Sequence, residues 1–177
     1  MRLSHTVDDL GSIKPRSTGQ RELIEYVKQN PNGSIFMFGP TGGGKTFLGR
    51  SVFKRRFMAD KMPYVDRYIY ISASTLLPTV YDVEETSEMI ARVHVAKLVF
   101  IDDFGKIKPS EWTNSTLFAI IDDIYSGDTQ VIITSNLPLS RMKLPSGEVV
   151  DGISEVYSPY IARRIEDKCS IFYLARG

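Results

Sequence analysis

Eight residues restrict the possible folds of this chain more than any others: Gly39-Pro40-Thr41-Gly42-Gly43-Gly44-Lys45-Thr46. An apolar run, SIFMF at 34–38, precedes them and reads as a buried strand. Residues 46–61 follow and read as a helix, which Met62-Pro63 ends. The pattern G-x-x-x-x-G-K-[ST] between a strand and a helix calls for a backbone that turns its N–H groups inward around an anion. Glycine supplies the positive φ angles and permits close approach. The helix opening near Lys45 directs the positive end of its dipole at the same point. Phosphate suits that geometry. Gly39, Pro40, Thr41, Gly42, Gly43 and Gly44 would form the cradle, Lys45 would reach the β- and γ-phosphates, and the Thr46 hydroxyl would ligate Mg²⁺. A glycine-rich turn without a ligand is the other reading.

The rest of the sequence alternates short apolar runs with helical patterns. YIYI (68–71), LVFI (98–101), QVIIT (130–134) and SIFYL (170–174) read as four further strands. Helices are expected over 19–29, 75–96, 111–125 and 157–167, and a long loop over 137–153, which holds two prolines and two glycines. Strands separated by helices indicate a parallel sheet covered on both faces. In such sheets ligands bind at the carboxyl ends of the strands. LVFI ends in Asp102-Asp103 at that edge. Asp102 is thus brought toward the Mg²⁺, and Asp103 toward the γ-phosphate, where it would orient or deprotonate the attacking water. The plainer account is a carboxylate capping the turn before Gly105.

Composition sets limits. The 177 residues are 42% hydrophobic and 24% charged, which fits one globular domain and excludes disorder throughout. The apolar runs are far shorter than the ~20 residues a membrane helix needs, and no secretory signal opens the chain. A single cysteine, Cys169, makes no internal disulfide and reads as a small buried hydrophobe. A cytoplasmic location follows as the expectation. The net charge of +1 leaves any nucleic-acid argument to local clusters.

Taken in order, GPTGGGKT, LVFIDDFG, VIITSN and the arginine-bearing YIARRI resemble the AAA+ ATPases of the initiator and helicase-loader clade, specifically the DnaC/IstB-like ATPase domain. The likeness runs from about Thr6 to Tyr173 and takes in TVDDLG and GQRELIEYVKQ. It implies an α/β P-loop NTPase fold of AAA+ type: a five-stranded parallel sheet between helices with no separate helical lid domain. Residues 1–18 would be a lead-in and 19–177 the ATPase domain. It implies ATP/ADP and Mg²⁺ as cofactors.

The resemblance also assigns roles that spacing does not. Asn136 matches the polar sensor that helps hold the hydrolytic water. A carboxamide can donate to a phosphate oxygen and accept from a water at once. The alternative is a turn residue before Leu137-Pro138. Arg164 matches the arginine finger inserted by a neighbouring subunit against the γ-phosphate, with Arg163 the competitor. A solvated arginine pair beside Glu166 and Asp167 is the plainer account. Departures are present too. Asp103 stands where most AAA+ proteins have glutamate, which implies slow turnover, and Ile124 stands where the family often has arginine. The loaders usually carry an N-terminal module that grips the helicase, and it is expected to be absent or removed here.

The helix after the glycine loop carries Arg50, Lys54, Arg55, Arg56 and Lys61 against one acid, Asp60. Arg50, Lys54 and Arg55 are candidates to track a nucleic-acid backbone, and an ordinary solvated face is the alternative. Phe53 and Phe57 are expected in the core. Ser72, Ser74 and Thr75 are possible backbone contacts. His5 and His94 are expected to be structural or exposed, and the acids from Asp82 to Glu88 to be a solvated face.

The expected function is therefore an ATP-dependent, helicase-loader-like replication factor. It would bind and hydrolyse ATP at a subunit interface and bind single-stranded DNA. Its partners would be a replicative helicase (or a transposase), DNA and further copies of itself, with no membrane. The alternatives are an IstB-like transposition helper acting on double-stranded DNA, a nucleotide-gated DNA-binding adaptor with negligible hydrolysis, and a small-molecule kinase, against which TSN and the arginine-bearing helix count.

Overall fold

The computed structural model describes residues 10–73, 83–144 and 147–176. His5, Ser74, Thr75 and Asp82 lie outside them. The five apolar runs become β1 (Ile35–Phe38), β2 (Tyr68–Ser72), β3 (Leu98–Asp102), β4 (Gln130–Ser135) and, after a short hairpin of β5 (Met142–Lys143) and β6 (Val149–Val150), β7 (Ser170–Tyr173). The five long strands form one parallel sheet in the order β2-β3-β4-β1-β7.

Helices cover both faces, and each strand divides its side chains between them. Ile35 and Met37 of β1, Leu98 and Phe100 of β3 and Ile132 of β4 face α1 (Thr18–Gln29) and α2 (Lys45–Ala59), against Leu23, Val27, Leu48 and Val52. Phe36, Val99, Ile101 and Ile133 face α3 (Val83–His94), α4 (Glu111–Ser126) and, after the short α5 (Ile153–Val156), α6 (Pro159–Lys168). A period of two along each strand thus feeds two cores, so the central strands are apolar throughout.

Serine hydroxyls cap three of the helices. Ser17 accepts the N–H of Gln20, Ser110 that of Thr113, and Ser158 that of Tyr160, with Pro159 at the first helical position. Each cap contributes about 1 kcal/mol. Helix α2 has no such cap, because its N-cap is Gly44.

The fold departs from the sequence expectations in one stretch. Residues 137–153 hold the β5–β6 hairpin, and α5 starts at their end, where a plain loop was expected. Arg141 and Asp151 close the hairpin's base through a 2.7 Å Nε–Oδ1 contact, and Gly147 makes the turn at φ 89°. Cys169 is buried, which pushes its thiol up to about 12. Among the described residues no helical domain follows β7, and no helix is long and apolar enough to cross a membrane.

Candidate nucleotide site

All five parallel strands end at one edge, and the glycine loop leaves β1 there. Gly39, Gly42 and Gly44 adopt positive φ (141°, 89° and 80°). Gly43 is needed for space, because a Cβ there would lie 2.4 Å from the Leu174 carbonyl oxygen. The loop is braced from behind. Gln20 Nε2 donates to the Gly43 carbonyl (3.0 Å), and Arg176 Nε donates to that of Thr41 (2.7 Å). With glycine as N-cap, no side chain covers the first-turn amides of α2, which leaves them to an anion.

In front of the loop lies a cavity of about 290 Å³, bounded by Thr41, Lys45, Thr46, Asp103, Lys106 and Asn136. Lys45 is folded back, with Nζ donating to the carbonyls of Gly39 (2.8 Å) and Pro40 (2.9 Å). Burial lowers its pKa, Asp103 opposes that, and Lys106 reinforces it. The Thr46 hydroxyl donates to Asp102 Oδ1 at 2.9 Å. A hydroxyl and a carboxylate oxygen this close are hard donors of the kind Mg²⁺ takes, so Thr46 and Asp102 fit that ion.

Asp102 is clamped further. Thr134 Oγ1 donates to Oδ1 (2.6 Å) and Tyr70 Oη to Oδ2 (2.8 Å). Arg50 Nη2 donates to Tyr70 Oη (3.0 Å) and lies 3.9 Å from Asp102 Oδ2. Asp103 sits in the left-handed region, φ 61° and ψ 39°, which costs a non-glycine residue about 1 kcal/mol or more. Two contacts hold it: its N–H donates to Thr134 Oγ1 (2.9 Å), and its carboxylate pairs with Lys106 Nζ (2.8 Å). The turn behind it is fastened by the buried Tyr157, whose hydroxyl donates to the carbonyls of Phe104 and Ile107. Asn136 leaves the end of β4 beside Gly105, where a Cβ would lie 2.3 Å from Asn136 Oδ1.

The eight loop residues, Asp102, Asp103 and Asn136 therefore converge at one edge. Arg164 does not join them within its own chain. Its Nε donates to Asp122 Oδ1 at 2.5 Å, and its guanidinium lies over the Phe118 ring. Arg163 is far more exposed and pairs loosely with Asp167 at 3.7 Å. On α2, Arg50 and Arg55 are exposed and Lys54 is half-buried. Arg56 departs from the basic cluster read in the sequence. It is buried between α1 and α2, with Nη2 on the Gly33 carbonyl. Phe53 is buried as expected, Phe57 is half-buried against Tyr68, and the exposed His94 meets Asp123 at 2.8 Å. Sequence reasoning missed Tyr70, Thr134, Lys106, Gln20 and Arg176. The only signal for the first two was a hydroxyl near the carboxyl end of a strand adjoining LVFID.

Fold and cavity together define an ATP-binding P-loop domain with the AAA+ fold. The pattern of the IstB-like ATP-binding protein family matches residues 10–147, and the chain belongs to that family. Its fold is that of the DnaC helicase loader (TM-score 0.74 at 16% identity, over 94% of this chain and 96% of that one) and of DnaI (TM-score 0.75 at 14% identity, over 98% and 95%). Chaperone protein ClpB 1 of Nostoc sp. is 26% identical over 93% of this chain and 23% of its own length. The chain spans about a quarter of the length of the curated relatives it matches.

Proposed function

We propose that this chain is an ATP-dependent DNA replication factor of the helicase-loader kind, which binds and slowly hydrolyses ATP where two copies meet. The observation that carries this reading is the convergence, at one cavity, of an amide-lined loop, Lys45, Thr46 with Asp102 hydrogen-bonded behind it, Asp103 and Asn136. The loop amides take the α- and β-phosphates, and Lys45 exchanges its two carbonyl contacts for β- and γ-oxygens. Thr46 and Asp102 would hold Mg²⁺, which would supply positive charge against the phosphates. Asp103 accepts a proton from the attacking water, and Asn136 positions that water against the γ-phosphate. Asp103 must first leave Lys106, and its arm is shorter than glutamate's; both slow turnover. Arg164 comes from a second copy and offsets the developing negative charge. Arg50, Lys54 and Arg55 contact the backbone of single-stranded DNA, so binding falls steeply with salt.

The test measures turnover against protein concentration, alongside complex mass with ADP, a non-hydrolysable ATP analogue, and the analogue plus single-stranded DNA. Turnover per subunit is expected to rise with concentration, and larger complexes to form with the analogue. Lys45→Ala is expected to remove both effects. A monomer in every nucleotide state with constant turnover per subunit would overturn the assembly, and absence of heat on adding magnesium and ATP or ADP would overturn the whole reading.

The family match favours one second reading, a transposition helper acting on double-stranded DNA with a transposase. Pull-downs against a replicative helicase and a transposase separate the two.

A further inference from the structure

At the opposite end of the sheet, between the loop after α1 and the last turn of α2, lies a second cavity of about 120 Å³. Lys97 stands just ahead of β3 and Asp102 ends it, so the two cavities are about 16 Å apart along that strand. The wall of this second cavity carries Arg55, Arg56 and Lys97 against one carboxylate, Asp60. Asp60 is already engaged, with Oδ2 accepting from Lys97 Nζ (2.7 Å) and Tyr68 Oη (2.6 Å).

Arg56 is the anomalous member. Its residue is only 8% exposed, and Nε and Nη1 are buried with no acceptor among the described residues. Burial lowers its pKa to about 10. A guanidinium keeps its charge, and a buried one with no carboxylate partner calls for a counter-ion in the cavity it borders.

We infer that this cavity binds a phosphate monoester group or inorganic phosphate, seated on Arg56 and flanked by Arg55 and Lys97. The cavity has room for a tetrahedral oxyanion and several waters. Three cations against one carboxylate leave a wall charge that matches a phosphate near its second ionisation, and Arg55 and Lys97 supply donors to its oxygens. The two sources of this chemistry are free phosphate and the 5′-terminal phosphate of a DNA strand. The site does not depend on the nucleotide reading.

The test is an amide ¹H–¹⁵N titration of the full chain with sodium phosphate, against sodium chloride at equal ionic strength. Saturable shifts are expected at residues 32–33 and 55–60, separable from those at 39–46. Arg55→Ala and Lys97→Ala are each expected to weaken the affinity read at 32–33 and 55–60 about tenfold, leaving the shifts at 39–46 in place. Arg56→Met is expected to abolish it, and the two surface variants decide the matter if Arg56→Met does not fold. Shifts that match those with chloride, or that survive both surface substitutions, overturn the site. A 5′-phosphorylated oligonucleotide compared with its 5′-hydroxyl form then assigns the source. Shifts at 32–33 with the phosphorylated strand and not with its 5′-hydroxyl form support the DNA end, and shifts there with inorganic phosphate alone support the free ion; 55–60 is left out because Arg55 is also a proposed contact of the DNA backbone.

Discussion

Asp102 receives hydroxyls from three elements: Thr46 of α2, Tyr70 of β2 and Thr134 of β4. If Asp102 holds Mg²⁺, Tyr70 acts through it as a positioning residue. Partners that orient a metal-ligating group typically change metal affinity 10–100-fold when removed. Tyr70→Phe is therefore expected to raise the magnesium needed for half-maximal hydrolysis by about tenfold and to leave ATP binding in chelator unchanged. Magnesium titrations of turnover, with calorimetry in EDTA, check both; an unmoved magnesium requirement would take Tyr70 out of this role. The loop residues and Asp102 were legible as neighbours because their spacing on one loop and one strand is local. Tyr70 and Thr134 were not, because a tyrosine in YIYI and a threonine in VIITS look like ordinary strand residues until the sheet order sets both strands beside β3.

The strands were legible as short apolar runs between breakers, since a sheet buried on both faces leaves no polar alternation. Strands β5 and β6 were not, because two residues each carry no period. Helix α2 was located correctly, but one of its side chains was misread. Its buried positions include 45, 48, 49, 52, 53 and 56, one continuous helical stripe that lysine opens and arginine closes. A stripe with a cation at each end looks polar, so Arg56 passed for a solvated partner of Arg55.

The end of α2 is tied to the starts of two strands by Asp60, which meets Tyr68 of β2 and Lys97 ahead of β3. The Lys97 hydrogen bond first, then that of Tyr68, holds the Asp60 carboxyl down at about 2, against an ordinary 3.8. A depressed carboxyl binds its proton less readily in the folded chain than in the unfolded one. Its contribution to stability is therefore complete above about pH 5 and is lost as pH falls from about 4 through about 2. Thermal unfolding of the wild type and of Asp60→Asn is expected to show a constant gap above pH 5 that closes across that window. A gap independent of pH would mean the Asp60 charge contributes nothing.

In the proposed assembly neighbouring copies meet through Arg164. Spacing within one chain cannot place a residue in another chain's site, which is why this role was readable only through resemblance. Within its own chain Arg164 is tied to Asp122, whose side chain is 42% exposed. Pairs of that kind hold by about 1 kcal/mol or less, whereas an arginine finger accelerates phosphoryl transfer by 10³–10⁵-fold. In the proposed assembly a neighbouring γ-phosphate, more highly charged than one carboxylate, would draw Arg164 off Asp122. Such a contact is head-to-tail: each copy gives an arginine across one face and receives one across the other. Two defective chains can then complement each other. Lys45→Ala lacks a working nucleotide site but keeps its finger, and Arg164→Ala keeps the site but lacks the finger. Each alone is expected to be nearly inactive, and a 1:1 mixture is expected to turn over well above either, because the intact site of Arg164→Ala can then meet the intact finger of Lys45→Ala. Turnover of the mixture, measured after incubation long enough for subunits to exchange, checks this. A mixture that only averages its two components while still assembling would place Arg164 outside the site and leave Arg163 as the arginine to test next.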